Sequence, residues 1–123
     1  MKKTKREFYT DDKIKMIILD SIYEKAMDET LNSDVSINHL ENIFTDETYY
    51  SAMKLVPLLE RKILYLSYIE NCRLNEICKR LKLQKNEVIK LRSKAIQHFK
   101  INLNVLNNAE NSLKGAYFNE EKI

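Results

Sequence analysis

Basic side chains are concentrated in the second half of the chain, where their density suits contact with a polyanion. Residues 61–100 contain eleven lysines and arginines against three acidic residues, a net charge of +8, whereas residues 7–60 carry −8. Lysine and arginine neutralise phosphates without any catalytic apparatus. The segment therefore predicts a nucleic-acid contact, against the alternative of a solvated, lysine-rich helical face.

Residue types that could support catalysis or hold a metal do not occur at the required spacing. Cys72 and Cys78 do not form a C-x-x-C pair, and the two histidines, His39 and His98, are remote in sequence. A single glycine excludes the glycine-rich loops of Walker-type and dinucleotide-binding enzymes. We expect no enzyme activity, no catalytic residues, no metal and no cofactor.

Several polar and aromatic side chains have a structural explanation that competes with a functional one. Glu60 and Glu76 are predicted to be helix-surface or capping groups, and His98 to be a surface residue. Four tyrosines could stack on bases, but their helical spacing beside leucine and isoleucine favours the core. These tyrosines are Tyr49, Tyr50, Tyr65 and Tyr68.

The elements that must position the basic residues are predicted to be helices. One glycine, Gly115, and one proline, Pro57, leave too little turn chemistry for a β-rich fold. We therefore expect an all-α helical bundle with a C-terminal helix-turn-helix domain. Short apolar runs and the absence of a signal peptide predict a cytoplasmic protein with no membrane partner.

Residues 1–44 are predicted to form an acidic N-terminal helical segment for dimerisation or partner docking. A helix starts at Thr10, and apolar residues then recur at the helical period. These inward positions are Ile14, Ile17, Ile18, Ile22, Ala26 and Leu31. Four further residues, Met16, Leu19, Tyr23 and Met27, widen the stripe. The helix is therefore either the centre of the core or a dimer surface.

Residues 45–105 are predicted to form the helix-turn-helix domain, and residues 106–123 a polar tail whose helicity is left open. Thr45 is the expected N-cap of a helix that stops before Pro57. A helix from Leu58 to about Glu70 follows, and Asn71 ends it in the left-handed conformation. Its inward residues are expected to be Leu59, Ile63, Leu66 and either Tyr68 or Ile69. A helix over residues 75–81, a turn at residues 82–84 and a long helix from Lys85 complete the domain.

The helix-turn-helix pattern assigns separate tasks to the side chains of residues 75–95. Cys78 is small enough for a close helix crossing, and Leu83 is apolar enough to anchor the turn. Val88, Leu91 and Ala95 face the core. Lys85, Asn86, Ile89 and Lys90 then project towards base edges. Ile89 is predicted to contact either a thymine methyl group or a protein partner.

The segment from Val56 to Lys100 resembles region four of bacterial sigma factors. That family reads Leu-Pro-x-x-x-Arg-x-x-Leu-x-Leu-x-Tyr, then Leu-x-Glu-Ile-Ala-x-x-Leu, and a recognition helix that ends Lys-Ala-Leu. The matching positions are Val56, Pro57, Arg61, Leu64, Leu66 and Tyr68, then Leu74, Glu76, Ile77, Cys78 and Leu81, and finally Lys94, Ala95 and Ile96.

This resemblance implies that double-stranded DNA is the partner and that the long helix reads a promoter element. It also implies contact with the β flap of RNA polymerase or with a companion sigma-like subunit. The amides of Leu74 and Asn75 and the side chain of Lys94 correspond to phosphate contacts. The full expected DNA-binding set is Arg73, Leu74, Asn75, Lys82, Gln84, Lys85, Asn86, Ile89, Lys90 and Lys94.

The chain also departs from the family pattern. Lys85, Asn86 and Ile89 replace the usual base-reading residues, which predicts a different target sequence, and Lys82 adds a phosphate contact at the turn. Region two of a sigma factor, which carries the aromatic patch that melts the minus-10 element, would have to fit before Thr45, and no such patch occurs there. We therefore expect half of a split sigma factor or a regulator built on the same domain. The alternative is an interaction protein that binds polymerase or a sigma subunit without reading DNA. A homodimer is a further candidate assembly.

Overall fold

Five α-helices form the protein, as seen in a computed structural model that describes residues 9–27 and 35–122, with side chains to residue 107. The helices are α1 (Asp11–Met27), α2 (Glu47–Lys54), α3 (Leu58–Leu64), α4 (Leu74–Leu81) and α5 (Lys85–Lys122). A 3-10 turn, Leu40–Ile43, precedes α2, and a π-helical turn, Tyr65–Ile69, prolongs α3. The described residues contain no strand, and the predicted all-α bundle is confirmed.

The first two helices begin at residues whose side chains accept backbone hydrogen bonds. Lys13 N–H donates to Thr10 Oγ1 at 3.3 Å, as the sequence predicts for the start of α1. In α2 the cap is Asp46, whose carboxylate accepts from the amides of Thr48 at 2.9 Å and Tyr49 at 3.1 Å. The prediction of Thr45 was wrong by one residue, because a charged carboxylate suits a helix N-terminus better than a hydroxyl.

The larger of two hydrophobic clusters joins the N-terminal elements to α5. Ile14 and Ile18 of α1 are fully buried against it, and Phe44 stacks on Phe99 of α5 with ring centroids 5.5 Å apart. Ile17 and Ile22 are only partly buried, Ala26 is exposed, and Leu31 lies outside the described residues. The N-terminal helix therefore packs through one narrow face.

The smaller cluster holds α3, α4 and the first turns of α5 together. Its buried members are Ile63, Leu66, Ile77 and Val88. Partly buried residues pack around them, namely Cys72, Leu74, Cys78, Leu81, Leu83 and Leu91, with Ile37 and Tyr65 from neighbouring elements. Because Val88 belongs to this cluster and Phe99 to the other, α5 contributes residues to both clusters and connects them.

A polar pair between α3 and α5 corrects two expectations about α3. Leu59 is 40% exposed, and Glu60 occupies the inward position beside it with 5% exposure. Glu60 Oε1 lies 2.6 Å from His98 Nδ1 of α5, so Glu60 is not the helix-surface or capping group that the sequence predicted. The side chain of His98 is 41% exposed, in agreement with the predicted surface position. The hydrogen bond explains the exchange, because a carboxylate can be buried only with a polar partner.

A second buried carboxylate, Glu41, fixes the 3-10 turn to α3. Its Oε1 accepts from Arg61 Nη1 at 2.8 Å, and its Oε2 lies 3.3 Å from His39 Nδ1. Arg61 Nε also donates to the carbonyl of Val56 at 2.9 Å. Arg61 of the Pro57–Arg61 motif therefore stabilises the fold through these contacts.

Candidate nucleic-acid interface

The helix α4 and the turn after it bring a lysine into the left-handed conformation. Glu76 accepts the backbone N–H of Arg73 at 2.7 Å and so closes the start of α4. At the other end Lys82 has φ 58° and ψ 48°, and Leu83 N–H donates to the carbonyl of Cys78 at 3.0 Å. The turn is therefore built without glycine, and it presents a cation at the corner between the two helices.

The start of α5 repeats the capping arrangement of α4. Gln84 N–H donates to Glu87 Oε1 at 2.9 Å. Glu76 and Glu87 are the two acidic residues between Arg73 and Lys94, and each accepts a backbone N–H at the beginning of a helix. The acidic side chains of this segment thus cap helices, and they do not form ion pairs with the lysines of the segment.

The inner faces of α4 and α5 carry the residues that the sequence assigned to them. Ile77 of α4 and Val88 of α5 are fully buried, and Leu83 of the turn is partly buried against the cluster that contains them. Cys78 and Leu91 are partly buried against the same cluster. This packing fixes the turn and the opening residues of α5 on a rigid base.

The predicted DNA-binding residues are exposed side chains, with one exception. Leu74 is partly buried against the smaller cluster, so only its backbone amide, in the first turn of α4, remains a candidate contact. Ile89 is 49% exposed. The remaining exposed members are Arg73, Asn75, Lys82, Gln84, Lys85, Asn86, Lys90 and Lys94.

Of the eleven cations of residues 61–100, Lys62 and Arg92 are partly buried, and the other nine fall into two groups. Three are paired with carboxylates, namely Arg61 with Glu41 at 2.8 Å, Arg80 with Glu70 at 2.6 Å and Lys100 with Asp11 at 3.1 Å. Six further cations are exposed, and no carboxylate in the described part of the chain forms an ion pair with them. These six are Arg73, Lys79, Lys82, Lys85, Lys90 and Lys94.

The paired cations also perturb the titration of nearby groups. Hydrogen bonds from Lys100 and Gln97 lower the pKa of Asp11. The hydrogen bond to Glu70 raises the pKa of Arg80. Both arrangements neutralise positive charge locally. The six exposed, unpaired cations therefore form what we call the cationic surface, which covers α4, the turn and the first three turns of α5.

Two exposed residues of this surface were missed by the sequence analysis. Lys79 lies on α4, and Ser93 lies on α5, one helical turn after Ile89 and Lys90. The spacing of Ser93 three and four residues beyond the predicted contacts is the signal that could have identified it.

The tyrosines are accounted for by packing. Tyr49, Tyr50, Tyr65 and Tyr68 are partly buried against the larger cluster, and Tyr49 meets Phe44 edge-on at 5.7 Å. Burial raises the pKa of Tyr65, and the nearby Glu70 carboxylate adds to the effect. Their position supports the core assignment and leaves base contacts to other residues.

Within the described residues, no three histidine, cysteine or carboxylate side chains lie close enough to share a metal ion. The described helices also include none with the length and apolar character needed to cross a bilayer.

Comparison of the chain with known protein families, curated proteins and solved structures finds no match.

Proposed function

We propose that the protein is a transcription regulator that binds duplex DNA by placing the first turns of α5 in the major groove. One observation carries the proposal, namely the row of exposed, unpaired cations on α4, the turn and α5, whose neighbouring acids are engaged in helix caps. A helix whose inner face is fixed and whose outer face is polar and basic suits groove binding.

The exposed face of α5 separates base-reading residues from phosphate-binding ones. Asn86 has the paired donor and acceptor that suit adenine, and Ile89 offers a methyl surface for thymine. Lys85 and Lys90 reach guanine acceptors or flanking phosphates. Lys82, Lys94 and the first amides of α4 bind the backbone on either side.

The resemblance to sigma region four supports the same assignment and adds a polymerase context. Within it, the chain acts as one half of a split sigma factor or as a regulator that uses the same domain. Lys82, Lys85, Asn86 and Ile89 differ from the family pattern, so the target differs from the usual promoter element.

A salt titration of DNA affinity tests this proposal. Lys85→Ala with Lys90→Ala removes two cations from the DNA-facing side of α5, so binding to a duplex weakens and the slope of log K against log salt falls, by about 0.9 for each of the two that contacts a phosphate. Fluorescence anisotropy with a labelled duplex measures both quantities. Lys54→Ala, which removes an exposed lysine from α2, is the control and leaves them unchanged. An unaltered slope in the double variant contradicts the proposal.

A second candidate function is an interaction protein that binds RNA polymerase or a sigma subunit and does not read DNA. The apolar exposure of Ile89, where a base-reading helix is usually polar, favours it. In this case Ile89→Asp abolishes binding to the purified β flap, whereas the Lys85 and Lys90 double variant retains it. Surface plasmon resonance with immobilised flap domain separates the two candidates.

A further inference from the structure

The outer face of α1 carries an apolar stripe that packs against no other described element. Met16, Leu19, Tyr23 and Met27 are 46–66% exposed and recur at three- and four-residue spacing. They lie on the side of the helix opposite Ile14 and Ile18, which are fully buried. A continuous apolar stripe of this length on a surface helix marks an interaction site.

A groove of about 600 Å³ runs beside this stripe, between α1 and the residues that lead into α2. Its apolar lining includes Ile17, Ile43, Phe44 and Tyr49. The groove and the stripe lie on neighbouring sides of α1, with Asp20 and Glu24 between them, and we call the two together the α1 surface.

The border between the stripe and the groove is acidic. Asp20, Glu24 and Asp46 line the groove, against one lysine, Lys25. The wider segment, residues 7–60, has a net charge of −8. An occupant must therefore combine an apolar face with flanking positive charge.

We propose that the α1 surface binds a basic amphipathic helix of another protein. The helix lays its apolar residues along Leu19 and Tyr23, and its lysines or arginines face Asp20, Glu24 and the groove beside them. A second copy of this chain would bring the same acidic border to the surface, and like charges disfavour that pairing. The α1 surface is formed by other residues than the cationic surface, so the two can be occupied independently.

A charge-swap titration tests this proposal with designed peptides. The probe is a helical peptide of about four turns with leucines at three- and four-residue spacing and lysines elsewhere, and its matched partner carries glutamates in place of lysines. Two-dimensional amide NMR locates binding on the full chain. The lysine peptide is expected to shift the signals of residues 16–27 and 43–49 and to bind at least about tenfold more tightly than the glutamate peptide there.

Two variants make the outcome decisive. Asp20→Lys with Glu24→Lys reverses the peptide preference at the α1 surface, whereas Leu19→Ser with Tyr23→Ser abolishes binding of both peptides there. Because all four side chains are exposed or border the groove, circular dichroism confirms that each variant remains folded. The proposal is overturned if neither peptide shifts these signals, if the swap leaves the preference unchanged, or if sedimentation shows a dimer that the Leu19 and Tyr23 variant dissociates.

Discussion

Lys82 combines an unfavourable backbone conformation with a charge at the corner of the helix-turn-helix. A left-handed φ of 58° is costly for any residue with a Cβ atom, and glycine usually occupies this position after a helix. The chain keeps a lysine here, next to the exposed cations of α5. Stability and charge are therefore in competition at this residue.

Lys82→Gly is expected to stabilise the fold and to weaken DNA binding. The gain in the free energy of unfolding is about 0.5–1 kcal/mol, after the larger entropy of the unfolded glycine is subtracted. The salt slope of binding falls by about 0.9, because one phosphate contact is lost. Urea unfolding and anisotropy measure the two effects. Lys82→Ala serves as the control, since it loses the charge without the backbone gain. A glycine variant that binds as tightly as the original chain contradicts the assignment of Lys82.

Glu60 and His98 are the residues whose pairing couples α3 to α5. Glu60→Ala removes the acceptor for His98 and is expected to lower the free energy of unfolding by about 1–3 kcal/mol. Glu60→Gln keeps an acceptor oxygen and loses less than half of that amount. Urea unfolding of the three proteins checks the order. Equal stability of the alanine variant and the original chain shows that the 2.6 Å contact contributes nothing.

At the scale of elements, α5 determines both the core and the proposed DNA surface. Its residues Val88 and Phe99 belong to different clusters, and its opening turns carry Asn86 and Lys90 outward. Ser93 lies on the exposed face between these clusters. A break in the helix at this point separates the two cores.

Ser93→Pro is expected to destabilise the whole protein by about 3 kcal/mol or more. Proline removes a backbone hydrogen bond in the middle of α5 and clashes with the preceding turn. Thermal unfolding followed by circular dichroism records the loss. Ser93→Ala is the matched control and changes the stability by less than about 0.5 kcal/mol, because the site is exposed. If the proline variant melts like the original chain, α5 does not connect the two clusters as described.

Local spacing predicted the elements, whereas contacts between distant residues could not be derived from it. The start of α1 at Thr10, the left-handed Asn71 and the inner face of α5 follow from residues within one or two turns of each other. Leu59 was wrongly placed inward because the partner that permits burial of Glu60 is 38 residues away. Arg61 pairs with Glu41, which is twenty residues away in the sequence. The neutralisation of this cation of the basic segment therefore could not be predicted from local spacing.

At the scale of the whole molecule, charge separates two surfaces of opposite sign. The cationic one comprises α4, the turn and the opening of α5, and the acidic one borders α1 and the groove beside it. Three bridges, at Arg61, Arg80 and Lys100, neutralise cations of residues 61–100, and of these three only Arg80 lies on α4. The remaining cations are thereby focused on one region, which favours association with a polyanion such as DNA.

Selection of duplexes from a randomised pool shows directly whether α5 reads bases. The full chain is expected to enrich one motif that includes adenine and thymine. Asn86→Ala changes the preference at one position and Ile89→Ala at another, whereas Lys94→Ala lowers the yield without altering the motif. A pool that remains random after repeated selection, or the same motif from the Asn86 and Ile89 variants, contradicts the account.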